Sequence, residues 1–286
     1  MATHRIALLV LLLAFCCAGC LESEQQYTIN PDGTGKVVIE ETMPNIERMF
    51  AIDDSTRRDK ERELREFVVS VVEKSVGVEL WKDVSYRSLP DGRIYFKGTA
   101  YFRDLNAVKF HALSNTDVTL TPTGDSRVVL AVPEPSVEPE AAGHPPRTDA
   151  EIEHAIDSMK AAYGEMREMV LGLEGLREHA SYRFAGTIQE AVGFTTDSSG
   201  ALAIGVDGKK MLRILDSVTS SEGYWRRTAM AAPGSGSDRE MVATLFGGAI
   251  PRAVIVTGGT PLFDYKAEVK GAQGQYRVLR KKLGVK

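Results

Sequence analysis

The chain is poor in cysteine: it has three, at positions 16, 17 and 20 of 286 residues. None follows Cys20, so no disulfide staples the remainder, and cysteine catalysis or a thiolate metal site has no ligand there. Stability beyond that point has to come from packing. An excess of one charge is missing as well. Lys and Arg number 35 against 39 Asp and Glu, a well-mixed formal charge of −4 that excludes the electrostatic footprint of nucleic-acid binding. Catalytic signatures are absent too. No HExxH pair, GxSxG elbow or SxxK pair occurs, and His111, His144, His154 and His179 sit at no metal-ligand spacing. Glu151, His154 and Asp157 share a helix face, which reads as a solvated polar face. Asp53 and Asp54 precede a helix and read as capping residues rather than an acid/base pair. No catalytic residue, metal or cofactor is therefore expected.

What is present is concentrated at the start. Residues 1–19 read MATHRIALLVLLLAFCCAG: Arg5 in a short leading segment, an apolar run from Ile6 to Phe15, then the small pair Ala18-Gly19. This is the layout of a secretory signal peptide, too short and too soon followed by polar residues to span a membrane. A cysteine directly after the small pair resembles the lipobox of bacterial lipoproteins. It departs from that pattern in carrying Cys17 where the family usually has leucine. Cys16 is a rival acceptor, but the bulky Phe15 precedes it. The resemblance implies cleavage between Gly19 and Cys20, a diacylglycerol on the Cys20 sulfur and an acylated new N-terminus. The protein would then be held to the membrane by its acyl chains, each buried methylene contributing about 0.8 kcal/mol. Leu21, where an Asp causes inner-membrane retention in many Gram-negative lipoproteins, points to the periplasmic face of the outer membrane. Glu22 to Gln26 form a polar lead too short to hold the fold far from the bilayer.

The expected fold class is α+β, mainly antiparallel β-hairpins packed with amphipathic helices and divided into two subdomains, 20–132 and 148–286. Between them, residues 133–147 contain five prolines and no apolar period, and read as a linker or long loop. Hairpins are predicted at 27–41, around Pro31-Asp32-Gly33, at 79–103, around Pro90-Asp91-Gly92, and at 118–132. A helix at about 55–77 carries Leu64, Phe67, Val68, Val71 and Val72 on one stripe. A capping box at Thr148–Glu151 opens a long helix to about 176. Its seam, Ile152, Ile156, Met159, Tyr163, Met166, Val170 and Leu173, is expected to lie on the protein's own sheet or, less simply, on a partner helix. The remainder predicts strands at 181–190 and 201–206, a helix at 208–219, a loop at 233–236 and a short helix near 238–246. Strands at 252–257 and 262–269 and a closing helix from about 272 complete it.

Three segments invite a functional reading. Residues 242–259 are apolar and long enough to span a membrane, but Pro251 and Arg252 at their middle favour a helix leading into a buried strand. Val256 to Thr260 hint at a phosphate cradle, yet lack its motif and read as a turn. In the final segment Arg277, Arg280, Lys281 and Lys282 accompany Val278, Leu279 and Leu283. Near anionic lipid such cations contribute about 1 kcal/mol each, and they also suit a helix C-terminus.

The segments YTINPDGTGKVVIEE and YRFAGTIQEAVGF resemble β-rich domains of the LppM-like group of bacterial envelope lipoproteins. The resemblance implies a β-rich fold and no catalytic residue. The function expected is that of a non-enzymatic, lipid-anchored binding or scaffold module, with the membrane and an envelope protein as its partners. A carrier of a lipid or apolar ligand, and a hydrolase whose site is assembled from scattered residues, are the alternatives. The oligomeric state is left open by the sequence.

Overall fold

The computed structural model describes residues 21–44, 57–115, 117–124, 126–134, 148–230 and 242–285. The leader with Cys16, Cys17, Gly19 and Cys20, the acids Asp53 and Asp54, most of the proline-rich segment and the 233–236 loop lie outside them.

Apolar residues alternate along the first strands and make one of their faces a core. β1 (Glu22–Ile29) and β2 (Gly35–Met43) form a hairpin whose turn is closed by Asn30 N donating to the Thr34 carbonyl at 2.8 Å. Asp32 accepts from Thr34 N at 3.1 Å, and Gly33 takes the φ of +83° that the turn needs. The helix α1 (Arg57–Lys74) follows, then β3 (Val78–Ser88) and β4 (Ile94–Phe102), and then β5 (Thr119–Gly124) and β6 (Arg127–Ala131). Beyond the proline-rich segment come α2 (Asp149–Leu171), β7 (Arg177–Phe184), β8 (Gly186–Val192), β9 (Thr195–Thr196) and β10 (Leu202–Asp207). The chain closes with α3 (Gly208–Thr219), α4 (Glu222–Met230), β11 (Arg252–Thr257) and α5 (Tyr265–Leu283).

The strands build two sheets, with orders β3-β4-β2-β1-β7-β10-β9 and β5-β6-β11-β8. The class is α+β, and among the described residues every strand pairing is antiparallel except that of β1 with β7. Each sheet takes strands from both 20–132 and 148–286, so these segments do not coincide with the sheets. A single apolar cluster joins Val68, Val71 and Val72 of α1, Phe96 and Phe102 of β4, and Leu130 and Ile255 of the second sheet. Strand β7 passes into β8 through Ala185, leaving the large sheet for the small one. Gly186 sits at this crossing against the Val256 carbonyl, in space that a Cβ would occupy. The predicted strand at 181–190 is thus two strands in different sheets.

Helix α5 covers the free edge of β3. It starts on one face of the sheet, where Val269 and Ala272 pack against Leu80 and Tyr101, and ends with Leu283 in the main core beside α1. Lys36 Nζ reaches both Glu268 carboxylate oxygens at 2.8 Å, and Tyr101 donates to Glu268 Oε2 at 2.7 Å. The expected strand at 262–269 is replaced by the start of this helix. Asp264 caps it by accepting from Ala267 N at 3.0 Å, and this local bond outweighs the β-like alternation of the sequence.

Helix α2 opens with the predicted capping box: Thr148 N donates to Glu151 Oε2 at 2.7 Å, and Glu151 N donates to Thr148 Oγ1 at 3.4 Å. The part of its seam from Ile152 to Tyr163 rests on α4 rather than on a sheet, and the side chains of Met166, Val170 and Leu173 lie outside the described ones. Ile152 and Ile156 form a small separate core with Trp225 and Ala229. No periodicity in the sequence announces a helix at 222–230, so this cover for the seam is a finding of the structure. Apolar residues 242–245 are helical and lead to the central strand β11, as Pro251 and Arg252 required. Among the described residues no helix is long and apolar enough to cross a membrane.

Candidate functional site

Register places the inward side chains of the large sheet in rows. From the turn end, the second row runs Ala100, Val37, Tyr27, Tyr182 and Leu202, all apolar bodies. The last row to cross all five strands, toward the end where the chain leaves for Cys20, runs Phe96, Glu41, Ser23, Glu178 and Val206. Two carboxyl groups therefore flank one serine on the core side. Adjacent strands lie about 4.8 Å apart, which puts their backbones about 10 Å from each other.

Glu41 is only 2% exposed, and Ser23 and Gln25 are buried beside it. Ser114 N donates to both Glu41 oxygens, at 3.1 and 3.0 Å, and Ser23 Oγ donates to Glu41 Oε2 at 3.1 Å. Gln25 Nε2 holds the Ser114 carbonyl at 2.8 Å, and the Tyr27 hydroxyl donates to Gln25 Oε1 at 2.8 Å. The Ser114 hydroxyl also serves Glu178. Burial pushes the Glu41 carboxyl up to about 7; the charge of Glu178 adds to this, and the hydrogen bonds from Ser114 and Ser23 oppose it. Burial likewise raises the Glu178 carboxyl.

A shallow groove of about 590 Å³ lies at this end of the sheet, lined mainly from its outward face by Glu22, Glu24, Glu40, Thr42 and Arg177. Ser23, Glu178 and Lys210 also line it. Arg177 N donates to the Leu21 carbonyl at 2.8 Å, so Leu21 is already fixed to the sheet and β1 begins at Glu22. Glu22 to Gln26, read from the sequence as a polar lead, are a strand of alternating exposed and buried residues. No slack chain separates Cys20 from the groove.

The basic helix end lies at the same level. Lys282 Nζ sits 5.4 Å from the Tyr86 ring centroid, Tyr86 pairs with Phe96, and Phe96 pairs with Glu41. Arg277, Lys281 and Lys282 are exposed, whereas Arg280 is turned inward and pairs with Glu73 at 3.4 Å. The structure thus leaves three of the four predicted surface cations exposed and places Lys282 at the level of the Glu41 row. Of the histidines, His111, His154 and His179 are exposed, and His144 lies outside the described residues. Among the described residues no group of three or more His, Cys, Asp or Glu side chains could hold a metal ion.

Sequence reasoning missed Glu41 and Glu178. Glu41 was legible in part, since it falls in register with Val37 and Ile39 on the buried alternation of β2. Glu178 required the parallel β1–β7 pairing, which no local pattern announces. Comparison with protein-family models, curated proteins and solved structures yields no match.

Proposed function

We propose that this chain is a lipid-anchored lipoprotein of the bacterial envelope that acts without catalysis, as a binding or scaffold module at a membrane surface. Its lipid attaches through Cys20 after cleavage behind Gly19, and its place is the periplasmic face of the outer membrane in a Gram-negative cell. The observation that carries the reading is the absence of slack between residue 20 and the sheet. Leu21 is hydrogen-bonded to Arg177 and β1 starts at Glu22, so an acyl chain on Cys20 holds the groove and the exposed Lys281 and Lys282 against the headgroup layer.

A hydrolase with scattered residues has one observation in its favour, the raised carboxyl pair. The geometry weighs against it: Glu41 is sealed beneath Ser114, and the groove reaches Glu178 rather than Glu41.

The test has two arms. Replacing Cys20 with Ser and fractionating cells labelled with a fatty-acid analogue should move the protein from membrane to soluble fraction and abolish the label. Retention of Cys20→Ser in the membrane without label sinks the anchor assignment. A photo-crosslinker at Lys210 should capture an envelope component that the same probe at the remote Thr121 does not. Identical capture at both positions, or none at either, removes the groove from the binding role.

A further inference from the structure

The groove on the outward face divides by charge. Two rows cross the sheet there. Nearest the Cys20 end stand Thr42, Glu22, Arg177 and Asp207, and behind them Glu40, Glu24, His179 and Gly205. Glu24 and Glu40 belong to β1 and β2, whereas Arg177 and His179 stand on β7 and Lys210 in the first turn of α3. One strand spacing, about 4.8 Å, separates the acidic half from the basic one.

Among the described residues each half keeps charges without an ion pair. Glu24 directly faces Glu40, and like charges so placed destabilise a sheet. Lys97 reaches Glu40 Oε2 at 2.7 Å, but Glu24 receives only Gln26 Nε2, at 2.7 Å on Oε1. Arg177 lies in register between Glu22 and Asp207, yet among the described residues it pairs with neither. Asp207 is taken up in capping α3, where it accepts from Lys210 N at 2.8 Å, and Glu22 turns to Arg93 at 3.9 Å. The Lys210 ammonium also lacks an ion pair among the described residues, while its neighbour Lys209 has Glu174 at 3.5 Å. Gly205 leaves the floor bare beside the His179 ring.

We propose that this groove binds a zwitterionic phospholipid headgroup, a phosphodiester joined through two carbons to a primary ammonium. Arg177, with paired donors, and Lys210 take the phosphate, and Glu24 with Glu40 takes the ammonium. A lone anion would meet Glu22, Glu24 and Asp207, and a lone cation would meet Arg177 and Lys210, so only a ligand carrying both signs suits the whole groove. Acids outnumber cations along it, which favours a phosphodiester with one charge over a monoester with two. A quaternary ammonium calls for an aromatic cage, and no aromatic ring is among the described lining residues. The volume of about 590 Å³ falls within the roughly 300–1,000 Å³ of small-ligand sites. That the headgroup comes from a bilayer rests on the proposed Cys20 anchor, which sets the groove at headgroup depth; the chemistry of the groove does not.

Titration of the full chain, purified from cells in nonionic detergent, with glycerophosphoethanolamine tests it, read by amide NMR shifts. The amides of Gly205 and Lys210 should move saturably, and those of Thr121 and Val129 on the small sheet should stay. Glycerophosphocholine and glycerophosphoglycerol, which keep the diester but not the primary ammonium, should each bind about tenfold more weakly. Glu24→Gln and Arg177→Gln should each lose about tenfold in affinity for glycerophosphoethanolamine, while Glu190→Gln on β8 changes nothing. Shifts at the groove that never saturate overturn the site, as do equal affinities for the three diesters or an affinity that survives both substitutions. Tighter binding of free phosphoethanolamine than of the diester overturns the lipid as its source. The probe carries no acyl chain, so its failure leaves the Cys20 anchor standing, and loss of the anchor leaves the titration unaffected.

Discussion

Glu41 on β2 and Glu178 on β7 stand on either side of Ser23 in one row across three neighbouring strands, and one residue, Ser114, bonds to both. A buried pair of this kind makes stability depend on pH. The Glu41 carboxyl lies at about 7 in the fold against an ordinary 4.5, raised by burial. Between those values the native state binds more protons than the unfolded chain, so stability falls as pH rises through the window and is flat above it. Glu41→Gln removes this slope. Urea denaturation should find the variant about 1–3 kcal/mol more stable than the wild type at pH 8 and nearly equal to it at pH 4.5. An equal difference at both values contradicts the assignment.

Gly186 marks the place where one strand changes sheets. Any side chain there meets the Val256 carbonyl of β11, which is backbone of a central strand and cannot swing aside. Gly186→Val should therefore separate β8 from β11 or prevent folding, with a loss of about 3 kcal/mol or more on thermal unfolding. Gly164, where an added Cβ would point into open space, is the contrast: Gly164→Ala on α2 should stabilise by about 0.5–1 kcal/mol.

Trp225 is the keystone of the separate core shared by α2 and α4. It contacts Ile152 and Ile156, meets the Tyr163 ring at 6.0 Å and donates from Nε1 to the Thr219 carbonyl at 2.7 Å. Trp225→Ala should cost about 3–5 kcal/mol of local stability. Hydrogen exchange would then rise in 149–163 and 222–230 while β1, β2 and β4 stay protected. Simultaneous loss in the sheets would show that the helices are not a separate cooperative unit.

Local chemistry explains which parts of this fold were legible in the sequence. The hairpins around Pro90-Asp91-Gly92 and Asn30–Thr34, the stripe of α1 and the boundaries of α3 all rest on contacts within a few residues. Pairings between distant segments were not legible. The parallel β1–β7 ladder, which brings Glu178 to Ser23, and α4, which covers Ile152 and Ile156, are set by tertiary contact. The region 262–269 failed for a different reason: its alternation fits a strand, and the Asp264 cap decides for helix. The basic cluster at 277–282 was visible as residues, but its division into three exposed cations and one ion-paired Arg280 depends on where α1 places Glu73.

That division yields a prediction about membrane contact. Lys281 and Lys282 are both exposed and Lys282 stands at the level of the Glu41 row, so on an anchored protein this helix end is expected to face the headgroups. In the Cys20→Ser background the acyl contribution is gone and only surface attraction remains. Sedimentation with vesicles rich in anionic lipid should show weak, salt-sensitive binding. Each charge contributes about 1 kcal/mol near the surface, so Lys281→Gln with Lys282→Gln should weaken it by roughly tenfold or more. Arg280→Gln tests the other side of the division. It breaks the pair with Glu73 and should cost up to about 1 kcal/mol of stability, with binding little changed. Binding that ignores both lysines would mean that the helix end does not face the membrane, and the orientation set by Leu21 and Arg177 would have to be abandoned with it.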